Sequence, residues 1–141
     1  MVISRGSIAR DVSTPAQMFA LVLGLFYLVS GLAGFATAGT GSGDVFGILG
    51  VNPMHNVIHI ALFGAVWIWA AFKGPDMAKT ANLALGGALL LICLLGLVGA
   101  LGWLNIYTGI DEPHFWLTLA TGALGIYFGT AGAKLGRART A

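Results

Sequence analysis

NPMHNVIHIALFGAVWIWAAF, residues 52–72, opens on a helix-start signal, sets two histidines one turn apart, and then runs apolar for the width of a bilayer. The Asn52 side chain can accept the first free backbone N–H groups as an N-cap, and Pro53 at the first helical position has no N–H to leave unpaired. His55 and His59, four residues apart, share one face of the helix that follows. Spanning a hydrocarbon core takes roughly 20 mostly apolar residues, so the stretch reads as a transmembrane helix with polar chemistry at its start.

The same reading extends to the whole chain. Of 141 residues, 57% are hydrophobic and 9% charged, against about a quarter charged in an ordinary soluble domain. Mean hydropathy is +0.89. A chain of this length and composition has room for four spans and no soluble catalytic domain. The expected architecture is an all-α integral membrane four-helix bundle, with spans at about 15–38, 53–72, 80–104 and 113–133 forming one domain. Ser13-Thr14-Pro15 starts the first helix, and Phe72-Lys73-Gly74-Pro75 ends the second and begins the third. Gly39 to Val51 reads as a flexible aqueous loop. Basic residues ahead of the first span and Ala36-Thr37-Ala38 at its end also match a secretory signal, but the apolar run exceeds the about 7–15 residues of a signal core.

Charge placement orients the helices. All seven Lys and Arg (Arg5, Arg10, Lys73, Lys79, Lys134, Arg137 and Arg139) fall in the N-terminal arm, the middle loop or the C-terminal tail, whereas Asp44, Asp111 and Glu112 fall in the other two loops. Cytoplasmic segments collect Lys and Arg. Both termini are therefore expected in the cytoplasm of a bacterial inner membrane. Trp103, Tyr107, Phe115 and Trp116 are expected at the outer interface, and Trp67, Trp69 and Phe72 at the inner one. Basic residues so placed do not suit a nucleic-acid partner.

Two hairpins are also discernible, with Asn52-Pro53-Met54-His55 answered by Glu112-Pro113-His114. This suggests a parallel repeat about the membrane normal, although Thr118 stands where a counterpart of His59 would be. Small residues four apart, such as Ser30 and Gly34, Ala61 and Ala65, Gly125 and Gly129, and Gly129 and Ala133, suit close helix packing within the chain.

The candidate binding residues are His55, His59 and His114, all expected near the outer ends of the second and fourth spans. Three imidazoles there suit a metal ion or one haem, while the plainer reading has them hydrogen-bonding to the loop and to neighbouring helices. Histidines on one side only do not suit transmembrane electron transfer between two haems. No ionisable group sits at mid-membrane, as a pump would require. Ser30, Tyr27, Thr118, Thr121 and Tyr127 are read as buried polar residues that bond to helix backbone or neighbours. Cys93, the only cysteine, excludes an intrachain disulfide.

The run Asn52-Pro53-Met54-His55-Asn56 through His59, following a glycine-rich loop, resembles small bacterial four-span membrane proteins grouped as domain of unknown function 4383. The resemblance covers about Thr14 to Ala133 and implies a four-helix membrane fold, with no assigned activity, substrate or cofactor. The leading expectation is a non-catalytic accessory or structural subunit, acting through helix, lipid or pigment contacts with itself or other membrane subunits. It needs no cofactor. The alternative is a metal- or haem-binding protein using the three histidines.

Overall fold

The computed structural model describes residues 11–102 and 109–135. Arg5, Arg10, Arg137, Arg139, Trp103 and Tyr107 lie outside the described residues. Four helices account for most of the described chain: α1 Pro15–Ala38, α2 Pro53–Lys73, α3 Pro75–Leu97 and α4 Pro113–Gly129. The all-α class holds. The first three helices, of 24, 21 and 23 residues, are long and apolar enough to cross a membrane. The fourth has 17 residues, or about 26 Å at the helical rise, near the lower limit for a span.

Each helix begins at a proline, and the first two also carry a side-chain cap. Thr14 caps α1 in a reciprocal box with Gln17, and the Asn52 side chain accepts from the backbone N–H of His55. Proline also opens α3 and α4. The helices alternate in direction: α1 lies along α2, and α3 lies along α4. The second pair meets almost backbone to backbone. A Cβ at Gly86 would stand 2.9 Å from the Gly122 carbonyl oxygen and 3.0 Å from the Gly125 Cα, so only glycine allows this approach. Ser30, Gly34, Gly125 and Gly129 all face neighbouring helices, as their spacing suggests. Ala61 and Ala65 do not, and are exposed.

Four expectations need correction. The loop Gly39 to Val51 holds an antiparallel hairpin, β1 Gly43–Val45 and β2 Leu49–Val51, with Val45 opposite Leu49. Val45 and Val51 are buried beneath it, which gives this glycine-rich stretch enough apolar surface to fold back. Its turn takes Phe46 and Gly47 through left-handed backbone, at φ 56° and 70°.

The third helix ends at Leu97, not near residue 104. There the Ala100 N–H donates to the Leu95 carbonyl, and that of left-handed Gly99 donates to the Gly96 carbonyl. This crossed pair closes the last turn in a Schellman motif. The fourth helix ends at Gly129, not at 133, because Thr130 leaves helical backbone and its hydroxyl takes the Ile126 carbonyl at 2.7 Å. Ala133 belongs to a separate short 3₁₀ turn, Gly132–Lys134.

Aromatic placement also departs from expectation. Trp67 and Phe115 are interior residues, with Trp67 fully buried, while Trp69, Phe72 and Trp116 are exposed as an aromatic belt requires. Tyr127, read as buried, is 44% exposed.

The core fills the end of the bundle where α1 and α3 begin. Trp67 sits edge-on to Phe19, which stacks on Phe128 at 4.8 Å. Three buried polar side chains tie this end together. The Trp67 indole N–H donates to Asn82 Oδ1 at 2.9 Å, the Asn82 amide donates to the Ala16 carbonyl at 3.0 Å, and the Gln17 amide donates to the Ala71 carbonyl at 2.8 Å. In lipid no water is present to satisfy such groups, so they must find one another.

Candidate functional site

At the opposite end, the starts of α2 and α4 meet the end of α1 beneath the hairpin. Asn52 and Pro53 fix where α2 begins, which places His55 in its first turn and His59 in its second. Pro113 does the same for His114 on α4. The three imidazoles, expected near one membrane depth and in a position to converge on one ion or haem, are in mutual contact. His55 and His114 bring their Nε2 atoms to 3.1 Å, and ring centroids lie 3.9 Å apart for His55 and His59 and 5.7 Å apart for His59 and His114. One ligating nitrogen from each falls within 4.8 Å of the others.

These rings continue as a column down α2. His59 is followed by Phe63 and Trp67, with centroid separations of 6.4 and 5.8 Å, and Tyr27 of α1 packs against all three. Residues four apart on an α-helix overshoot a full turn by about 40°, so three such steps would carry Trp67 about 120° away from His55. Instead, Ile58–Ala65 is π-helical. Its wider turn absorbs the overshoot and keeps His55, His59, Phe63 and Trp67 on one face.

Hydrogen bonding fixes how the rings are presented. The Ser30 hydroxyl donates to the Tyr27 carbonyl at 2.9 Å, so its oxygen is left to accept from Nδ1–H of His59, also at 2.9 Å. That assigns the proton of His59 to Nδ1 and leaves Nε2 with a free lone pair. The Ser30 proton is already committed to the carbonyl, so the contact orients the ring and does not activate the hydroxyl. The fully buried Asn56 lies beside Nδ1 of His55, with its Oδ1 at 3.4 Å. Its Nδ2 is the one buried side-chain polar atom without a partner among the described residues. Thr121 receives the Tyr27 hydroxyl contact at 2.9 Å and donates to the Leu117 carbonyl, closing the polar layer below.

A cavity of about 500 Å³ opens onto the three imidazoles. Phe63, Leu89 and Ile92 form apolar wall, and two exposed acidic residues, Asp44 of the hairpin and Glu112 before α4, also line it. None of the described Lys residues lines it. The site therefore combines several nitrogen lone pairs with a negative rim, an arrangement suited to a cationic or hydrogen-bond-donating guest.

Sequence reasoning named all three histidines and the Asn52 cap. It treated Ser30 only as a low-cost buried polar residue and missed the cavity role of Asp44. The signal available for Ser30 was its place on the small-residue face of α1, four residues before Gly34.

Fold and site together define an all-α membrane protein with a histidine-lined cavity at one end. The family model described as Domain of unknown function (DUF4383) matches residues 17–131, and the chain belongs to that family. No curated protein and no solved structure matches it.

Proposed function

We propose that the chain is a non-catalytic accessory subunit of the bacterial inner membrane, with both termini cytoplasmic and the hairpin end outside, that works by assembling with other membrane subunits or with itself. The observation that carries this reading is the tip of the β1–β2 hairpin. Phe46 is 87% exposed and held at φ 56°, and Ile48 beside it is 59% exposed. A bulky L-residue in left-handed backbone costs about 1–2 kcal/mol, and such positions are retained where the surrounding structure or its function over-determines them.

Two large apolar side chains exposed at the tip of the hairpin suit contact with a neighbouring protein surface at the membrane interface. The long apolar flank of α1, with Val22, Val29 and Leu32 outward, supplies the adjoining lipid-facing or subunit-facing wall. The native mass of the complex extracted in mild detergent tests the reading. A mass above one chain plus its micelle, reduced by Phe46→Ser, supports assembly. A single-chain mass in the wild type, across several mild detergents, removes it.

A further inference from the structure

We propose that His55, His59 and His114 form a binding site for one divalent first-row transition-metal ion, with zinc as the representative. This goes beyond the assembly reading and stands on different residues. Two nitrogens about 2.0–2.1 Å from one tetrahedral ion are roughly 3.3–3.4 Å apart. The Nε2 atoms of His55 and His114 already stand at 3.1 Å. With all three ligating atoms within 4.8 Å, the remaining nitrogen needs a shift of at most about 1.5 Å to complete a three-coordinate face at the same bond lengths.

The electronic presentation agrees with the distances. Ser30 holds the His59 proton on Nδ1 and leaves Nε2 bare, and Asn56 Oδ1 favours the same tautomer in His55. The close His55–His114 contact is then bridged by one proton on His114. On binding, that proton moves to Nδ1 of His114, and the ion takes its place between the two Nε2 lone pairs. Nothing is oxidised or reduced, and no proton leaves the protein.

The donor set selects the class of guest. Three neutral imidazoles suit zinc, copper, nickel or cobalt, whereas magnesium and calcium require a cage of oxygens. The three nitrogens border the cavity, and the exposed acids Asp44 and Glu112 on its lining favour the approach of a dication. A porphyrin held between His55 and His114 would have to pass through a gap that the two nitrogens have already closed. The geometry thus favours a bare ion over haem.

The test uses untagged full-length protein in detergent micelles, stripped with a chelator and desalted, then titrated with zinc against a chromogenic competitor. Expected are one zinc per chain and intense visible d–d bands when cobalt is substituted. Magnesium should show no saturable competition. His59→Gln and His114→Gln should each weaken zinc binding by at least about 100-fold, and Ser30→Ala, which removes only the orienting hydroxyl, by about 10-fold.

A variant that misfolds is replaced by a measurement on the wild type, in which zinc should protect His55 and His114 from acylation by diethyl pyrocarbonate, read by peptide mass. Zinc uptake well below one per chain, equal uptake by the glutamine variants in folded form, or unchanged acylation with zinc present would each overturn the site.

Discussion

The two ends of the bundle treat buried polar groups in opposite ways. Where α1 and α3 begin, the buried side-chain donors among the described residues are paired: the Trp67 indole to Asn82, the Asn82 amide to Ala16, the Gln17 amide to Ala71. Where α2 and α4 begin, three imidazoles crowd together, and the amide of Asn56 is left without an acceptor. The first pattern is that of helices fastened in a medium without water. The second keeps lone pairs directed at a cavity, at a cost that the fastened end can offset. Satisfaction of the groups separates structure from site: they are paired with one another at one end and turned toward a cavity at the other.

Mutations can break this contrast. Trp67→Ala removes the largest fully buried side chain and strands Asn82; a loss of about 3–5 kcal/mol is expected, measured by reversible unfolding in mixed micelles. Gly86→Ala forces a Cβ into backbone of α4 and should cost about 1–3 kcal/mol by the same assay, as overpacking does. Asn82→Leu breaks two satisfied bonds and should cost about 1–2 kcal/mol.

Asn56→Leu, at an equally buried position, gives the sharpest comparison. It removes an amide whose Nδ2 is already unsatisfied and whose Oδ1 makes only the 3.4 Å contact to His55, so its cost should fall below that of Asn82→Leu, by about 1 kcal/mol. Equal costs would show that the two ends are held in the same way. The smallest effect belongs to Phe46→Gly, which relieves left-handed backbone at the hairpin tip and should leave folding stability unchanged or raised by about 1 kcal/mol. If the tip is a contact, the same change lowers the native mass in mild detergent.

Much of this arrangement is legible in the sequence because helix starts are local. Thr14-Pro15, Asn52-Pro53 and Glu112-Pro113 each place a helix start to the residue, and with it the depth of His55 and His114. The ends were harder. Left-handed Gly99 closes α3, its N–H donating to the Gly96 carbonyl and that of Ala100 to the Leu95 carbonyl, a motif hidden among Gly96, Gly99 and Gly102, which as a set resemble packing residues. Trp67 looked interfacial because indoles prefer that zone. What overrides the preference is Asn82, 15 residues away, and no local pattern announces that pairing. The hairpin was missed because glycine and serine mask the alternation of Val45, Leu49 and Val51. Likewise, spacing showed that His55 and His59 share a face, while the azimuth of His114 around α4 emerges only from the Gly86–Gly125 approach that sets α3 against its neighbour.

The wide-turned segment Ile58–Ala65 has a consequence for how this helix tolerates change in length. Tightening the segment to ordinary pitch with its length unchanged would swing everything on its N-terminal side by about 120°, whereas tightening it with one residue dropped between 60 and 64 would leave a swing of only about 20°. In the first case the indole would stay seated while the imidazoles rotated out of the cavity; in the second the face would be kept. Residues that carry no chemistry of their own thus act as a phase-setting spacer, and the chain count between His59 and Trp67 matters as much as what those positions contain.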